Sequence, residues 1–459
     1  MNTQRDRLPE ALAQAFAARG FSDLTPVQAA VLAEARGARD LLVSAPTGSG
    51  KTLALGLALY PDLAGAEGDR EAGGEAGGAA PRGLVAAPTR ELARQVAAEL
   101  EWLYRGTGIR VRLCTGGVAP RLERRALRAG CELVVGTPGR LCDHLARGAL
   151  DLGRLVVAAL DEADDMLDLG FRTEVEALLA AAPASRRTLM VSATIGPKAA
   201  ALAATHLRDP LRVEPGGAGA PAALRLEAVA VAPAERDAAV ANLLRFHEAP
   251  GALVFCARRE AVAALAARLG GRGFQVVALS GALPQRERDA AVAALRAGRA
   301  RVCVATDLAA RGLDLPGLDL VVHADPPASP AALTHRSGRA GRAGRAGRAV
   351  ILAPQRMRAR VEALARAAGV ELDWRAAPGL DAVRARDEAR LLQALAAADA
   401  PGAEEAAAAA RLLAAHDPAR LAVALLRLHR PGGEAEDLAA VSRPGPEGRG
   451  GRRSPPRRR

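Results

Sequence analysis

The sequence predicts an α/β fold of two large units in tandem, each built on a parallel sheet, followed by a small helical module and a disordered basic tail. Three observations carry this expectation. The chain has 459 residues, too many for one core when a domain holds about 100–200. Short apolar runs alternate with helical stretches over two long tracts, separated by an interval rich in Pro and Gly. Half of the residues are hydrophobic but only 2% are aromatic, so the cores are made of Ala, Val and Leu, a composition suited to layered helices and strands rather than an aromatic-rich sandwich.

The first unit is assigned to residues 1–208. From residue 39 its apolar runs are DLLVSAP, GLVAAP, ELVVGTP, LVVAALDEAD and TLMVSAT, each ending in small or polar residues. Such runs joined by helical stretches read as buried parallel strands with crossover helices. Ligands of open α/β sheets gather at the carboxyl ends of the strands. Residues 65–83 are rich in Gly, Ala and Glu and read as a flexible surface insertion. A linker is placed at 209–223, where DPLRVEPGGAGAPAA breaks the pattern. The second unit, 224–368, resumes it with RLEAVAV, ALVFCA, VVALSG, RVCVATD, LDLVVHAD and RAVILAP. From 369 to 430 the strands are expected to stop, and Leu recurs at helical spacing on an Ala-rich background. Residues 431–459 form the tail.

The formal net charge is +12, which points to a polyanionic partner such as nucleic acid. About half of that charge sits in 442–459, where seven Arg face one Glu, so much of the basicity is local. Lysine occurs only at Lys51 and Lys198. Cys114, Cys131, Cys142, Cys256 and Cys303 form no CxxC pair, which argues against a zinc site or a disulfide framework and for buried thiols in a reducing compartment. No apolar run approaches the ~18 residues of a membrane span, and the N-terminus has no signal-like core. A cytoplasmic protein without a membrane partner is expected.

The chemistry is concentrated at the strand ends. Ala45-Pro-Thr-Gly-Ser-Gly-Lys-Thr52 lies between a strand and a helix, the setting of a phosphate loop. Backbone N–H groups from Thr47 through Gly48, Ser49 and Gly50 would ring a β-phosphate, Lys51 would reach the β/γ oxygens, and Thr52 would ligate Mg²⁺. Asp161-Glu-Ala-Asp164 follows an apolar strand. Asp161 is placed to hold Mg²⁺ through water, and Glu162 to orient or deprotonate an attacking water. Taken alone, that acidic cluster also suits the first turn of any helix. Upstream, Gln28 ends the stretch Gly20-Phe-Ser-Asp-Leu-Thr-Pro-Val-Gln28, and a carboxamide can pair with adenine N6 and N7 together. In the second unit, Thr306 to Asp314 and His335-Arg-Ser-Gly-Arg-Ala-Gly-Arg342 offer Arg339 and Arg342 as arginine fingers for a γ-phosphate.

The ordered set resembles the DEAD-box ATP-dependent RNA helicases, down to Asp161-Glu162-Ala163-Asp164, and covers nearly all of residues 8–353. The resemblance implies two RecA-like domains, ATP and Mg²⁺ as cofactors, and RNA as partner. It assigns Phe21, Thr25, Pro26 and Gln28 to adenine recognition. Ser192, Thr194, Asp164 and His335 are assigned to coupling hydrolysis with the two units, and Asp314 to the ribose or the attacking water. RNA contacts are implied at Pro88, Thr89 and Arg90, at Gly116 and Gly117, and at Thr137, Pro138, Gly139 and Arg140. In the second unit they fall at Gln285, Arg288 and Thr306. Hydroxyls, backbone amides and guanidinium groups grip phosphates and 2′-hydroxyls without reading bases.

Two positions depart from the family pattern. The aromatic residue that usually precedes the adenine motif is missing from MNTQRDR, and Ala257 stands where the family often has Thr or Asn. The helical extension resembles the bacterial cold-shock and ribosome-associated branch, which often continues into a dimerisation segment and an RNA-binding domain. Homodimerisation and a ribosomal or ribonucleoprotein partner are therefore left open. The expected activity is local unwinding of short RNA duplexes. An ATP-driven RNA clamp or scaffold is the main alternative, and a DNA translocase is disfavoured by the DEAD signature.

Overall fold

The computed structural model describes residues 8–34, 37, 39–45, 48–64, 80–214, 225–281, 283–310, 318–340, 347–398, 400–428 and 438. These residues form two compact units, each around one sheet. The first sheet contains β1 (Leu41–Ser44), β2 (Gly83–Ala86), β3 (Val111–Cys114), β4 (Leu133–Gly136), β5 (Val157–Leu160), β6 (Arg187–Ser192) and β7 (Leu211–Val213). The second contains β8 (Arg225–Ala230), β9 (Ala252–Phe255), β10 (Val276–Leu279), β11 (Val302–Ala305), β12 (Leu320–His323), β13 (Arg348–Ala353) and β14 (Leu372–Arg375).

All pairings are parallel. The strand orders are β3-β4-β2-β5-β6-β1-β7 and β10-β11-β9-β12-β13-β8-β14. Counted from the first strand of each unit, the two orders are the same, so β8 is the counterpart of β1 and β12 of β5.

Strand alternation builds a core on both faces of the first sheet. Leu41, Val43, Val85, Leu133 and Val135 face the cluster formed with helices Glu10–Ala18, Pro26–Glu34, Lys51–Ala64 and Arg90–Leu103. Leu42, Leu84, Val134 and Met190 face the opposite cluster, which takes in Leu141, Met166, Leu178 and Leu202. Burying each such side chain is worth about 1.5–3 kcal/mol, and strands buried on both faces read as continuous apolar runs. In the second sheet, Val229, Val254, Val304, Val322 and Val350 share one core, while Leu253, Phe255, Val321 and Ile351 are buried on the other face.

The structure corrects the sequence boundaries in two places. Leu211–Val213 falls in the predicted linker but is an edge strand, in register with Leu41 to Val43 of β1. Leu372–Arg375 falls in the predicted helical extension but pairs with β8; Trp374 packs there beneath the Arg358 guanidinium, 4.9 Å from its ring. Both segments are short edge strands with half-exposed positions, so they lack the apolar run that betrays a central strand. Strand β3, whose two middle residues are half-buried, was not singled out for the same reason.

The helical extension consists of Leu380–Ala396, Ala403–Ala415 and Pro418–Leu428. The first of these is anchored to the second unit by a buried ion pair, with Arg245 Nε 3.0 Å from Asp387 Oδ2. Residues 65–79, the bulk of the predicted insertion, lie outside the described residues. The predicted tail does too, except for Leu438, which packs against the core of the second unit. No helix among the described residues is long and apolar enough to cross a membrane.

Candidate nucleotide and RNA sites

The first unit collects its charged motifs at the carboxyl ends of β1, β5 and β6. After β1 the chain turns through Gly48 and Gly50, with φ of +83° and +89°, and enters the helix Lys51–Ala64. A Cβ on Gly50 would come within 2.5 Å of Gln28 Nε2, so only glycine lets the loop pass there. Gln28 is 3% exposed. Its Oε1 accepts from the Thr25 N–H at 2.9 Å and its Nε2 donates to the Gly50 carbonyl at 3.3 Å. The segment predicted to recognise adenine is thereby tied directly to the glycine loop. Phe21 sits in an aromatic group with Phe16 and Trp102, at centroid distances of 5.7 and 6.1 Å.

Lys51 is buried, donates to the Ala45 carbonyl at 2.9 Å and lies 3.4 Å from Glu162 Oε1. Glu162 has a left-handed backbone, φ +50° and ψ +55°. A non-glycine residue pays about 1–2 kcal/mol for that region, and such strain is concentrated at functional sites. Asp161 is 2% exposed, and its Oδ1 is buried without a hydrogen-bond partner. Burial, and then the neighbouring Glu162 charge, push its carboxyl up to about 7 against a smaller opposing pull from Lys51. A buried carboxylate oxygen with no donor is poised for a cation or its bound water. Thr52 follows Lys51 in the first turn of the helix.

Asp164 closes the group. Its Oδ2 accepts from both the Thr194 N–H, at 3.1 Å, and the Thr194 hydroxyl, at 2.9 Å, while the Ser192 hydroxyl donates to the Thr194 carbonyl at 2.6 Å. The segment after β6 is therefore latched to the segment after β5.

The segments predicted to meet RNA in this unit follow β2, β3 and β4, which are neighbours in the sheet. After buried Pro88, Thr89 caps the helix Arg90–Leu103 by accepting from the Leu92 N–H at 3.2 Å. The Arg90 guanidinium lies across Gly116, where a Cβ would meet its Nε at 2.5 Å. Gly117 turns at φ +90°. Thr137, Pro138, Gly139 and Arg140 open the helix Pro138–Ala146. Sequence reasoning missed Glu123 and His144, both buried, which connect these segments. Glu123 lies four residues before buried Leu127, and that spacing is the one signal that could have placed it on the inner face.

In the second unit, Gln285 begins the helix Gln285–Arg296 and donates to Asp289 Oδ1 at 2.9 Å. Arg288 donates to the Ala309 carbonyl at 2.7 Å, and Thr306 Oγ1 accepts from the Ala309 N–H at 3.4 Å. Arg288 and Thr306 thus meet at the turn after β11, and Gln285 stands one helical turn before Arg288. His335 lies in the helix Pro330–Ser337, and Arg339 just past its end. Between them, Arg336 is an internal anchor: it grips both Asp307 oxygens, at 2.5 and 2.7 Å, and the Asp325 carbonyl at 2.9 Å. Asp325 accepts from Arg236 at 3.0 Å and from the Ala257 N–H at 2.8 Å. Thr47, Asp314 and Arg342 lie outside the described residues.

The four cysteines that are fully buried are Cys114, Cys131, Cys256 and Cys303, and Cys142 is half-buried. Burial pushes Cys303 up to about 12, away from thiolate chemistry. No metal-binding cluster of His, Cys, Asp and Glu is present among the described residues.

A doubly covered parallel sheet, a glycine loop entering a helix after β1 and an unsatisfied carboxylate after β5 define a P-loop nucleotide-binding unit. The second sheet repeats its strand order. Residues 25–202 match the DEAD/DEAH box helicase family and 235–344 match the helicase conserved C-terminal domain. The Escherichia coli (strain K12) ATP-dependent RNA helicase DbpA is 35% identical over 362 residues, covering 78% of this chain and 76% of that protein. The chain belongs to the DEAD-box ATP-dependent RNA helicase family.

DEAD-box ATP-dependent RNA helicase 3A, chloroplastic, of Zea mays is 35% identical over 380 residues, or 82% of this chain but 50% of that protein. The chain thus spans about half the length of some curated relatives it matches. In fold, S. cerevisiae Dbp5 bound to RNA and ADP BeF3 aligns with a TM-score of 0.73 at 24% identity, covering 84% of this chain and 99% of that one. The fold is that of tandem RecA-like domains.

Proposed function

We propose that the chain is an RNA-stimulated ATPase that binds single-stranded RNA without base readout and locally opens short RNA duplexes. The observation that carries this reading is the buried Asp161 Oδ1 without a donor, beside Lys51 and Glu162 at the ends of β1 and β5. The same orphaned oxygen suits Mg²⁺. Mg²⁺ is commonly held by one or two carboxylates and the phosphates of its substrate rather than by an all-protein cage. Asp161, through water, and Thr52 are the residues assigned to it, and when bound it neutralises charge on the β- and γ-phosphates.

Each remaining role follows from side-chain chemistry. Gln28 spends one N–H and one lone pair on the fold, leaving one of each for adenine N7 and N6. Lys51, now held by the Ala45 carbonyl and Glu162, is assigned the β/γ oxygens. Glu162 is assigned the attacking water. Asp164, Thr194 and Ser192 connect the segments that sense hydrolysis. Arg339 and Arg342 are assigned the γ-phosphate, Asp314 the ribose or the attacking water, and His335 its coupling role, by motif alone.

ATP hydrolysis measured with RNA and with DNA of equal length, together with strand release from a short RNA duplex, tests the proposal. RNA-selective stimulation and ATP-dependent release are expected. Hydrolysis indifferent to RNA would overturn the assignment, and stimulation without release would favour an RNA clamp.

A further inference from the structure

A carboxylate withdrawn from water costs several kcal/mol unless donors surround it. Glu123, 3% exposed, has three. Its Oε1 accepts from the Thr115 N–H at 2.8 Å; its Oε2 accepts from Arg140 Nη1 at 3.1 Å and lies 2.8 Å from His144 Nε2. Thr115 opens the Gly116-Gly117 turn after β3, and Arg140 belongs to the segment after β4. His144 lies one turn beyond Arg140 on the same face of its helix. One buried carboxylate thus joins two separate loops assigned to RNA. A third is drawn in through Arg90, whose guanidinium rests on Gly116.

We infer that Glu123 is a positioning residue for RNA: it orients the Arg140 guanidinium and sets the Gly116-Gly117 turn, so that three strand-end segments present their donors together. The inference rests on the RNA reading of those segments. Its mechanism is specific. Arg140 is half-buried, and its contact with Glu123 occupies one of five N–H donors, leaving others for phosphate or 2′-hydroxyl oxygens. A guanidinium held at one corner keeps its plane in a fixed direction, which a freely rotating side chain does not. His144, wholly buried, braces the same carboxylate oxygen that Arg140 contacts.

The substitution Glu123→Gln separates positioning from folding. The amide oxygen still accepts from Thr115, and a neutral His144 in its other tautomer accepts from the amide nitrogen. Arg140 alone then faces a donor and loses its acceptor. The RNA concentration for half-maximal ATPase stimulation is expected to rise roughly 3–10-fold, about the cost of one ordinary hydrogen bond, with kcat, the KM for ATP and the thermal midpoint near wild type. Arg140→Ala should produce a similar rise, and the double variant no more than Arg140→Ala alone, because coupled residues are not additive.

Additive losses would overturn the inference, since Glu123 would not then act through Arg140. Wild-type RNA affinity in Glu123→Gln beside a weakened Arg140→Ala would overturn it too, leaving the RNA reading intact. Wild-type affinity in Arg140→Ala would remove the RNA reading of that segment and the inference with it. Should Glu123→Gln not fold, Arg140→Lys decides: lysine keeps the charge without the plane, so a loss as large as in Arg140→Ala supports orientation, and wild-type affinity overturns it.

Discussion

Strands β5 and β12 occupy equivalent places in two sheets of the same order, and each is followed by an aspartate. Asp325, after β12, has both oxygens engaged, one by Arg236 and the other by the Ala257 N–H. Asp161, after β5, keeps one oxygen buried and unpartnered. The strands β1 and β8 differ in the same sense. After β1 comes a glycine loop that offers N–H donors, whereas after β8 the chain meets Pro233 at the start of a short turn, a residue that has no N–H to offer. One scaffold therefore supports two kinds of edge. At the matched aspartates, the first is left electrically incomplete and suits a ligand, whereas the second is completed from within.

The largest effect that can test this division is on Arg339. Arg339→Ala should lower RNA-stimulated kcat by about 10³-fold while leaving ATP affinity in the absence of RNA unchanged, read by steady-state hydrolysis and nucleotide titration. A loss confined to ATP affinity would move Arg339 out of the proposed role. Next, Glu162→Gln should slow turnover by about 100-fold or more with nucleotide binding retained; unchanged turnover would break the assignment of the first edge.

Two isosteric substitutions at the matched aspartates should have opposite signs. Asp325→Asn forfeits a contact to Arg236 and is expected to destabilise the nucleotide-free protein by about 1–2 kcal/mol. Asp161→Asn relieves a buried charge and is expected to raise the thermal midpoint by about 3 °C near pH 7.5, while abolishing the extra stabilisation from Mg²⁺ with nucleotide. The pH dependence has a definite sign. Because the folded state pushes Asp161 up to about 7, its protonated form favours folding. The stability it contributes is full below about pH 4 and is lost as pH rises toward 7. Asp161→Asn should flatten that decline in a pH series of melts. Equal signs for the two variants would mean that the edges do not differ as described.

Much of this was legible in the chain itself. Central strands, buried on both faces, advertise themselves as apolar runs, and β1, β2, β4, β5 and β6 all fall on such runs. The phosphate loop and Asp161 to Asp164 were readable because phosphate chemistry restricts the residue types at fixed spacing. The edge strands β7 and β14 were not, because an edge pairs on one side only and tolerates polar residues such as Arg212 and Asp373. Nor could Arg336 be told from Arg339: both stand in a run of Arg, Gly and Ala, and only packing reveals that Arg336 is spent on Asp307 and the Asp325 backbone.

The sequence alone determined the two-unit α/β architecture and the family, and it singled out the candidate residues of the nucleotide site, since apolar period and motif spacing are local properties that need no partner to be recognised. Tertiary structure alone decided which charges are satisfied. Glu123 in PRLERRALR looks like one more solvated charge on a helix, yet it is buried among Thr115, Arg140 and His144. Asp161 and Asp325 look alike in one dimension and differ only in the donors that folding brings to them. Whether a charged group is a strut or a site depends on contacts distant in sequence, and those exist only once the sheets are assembled.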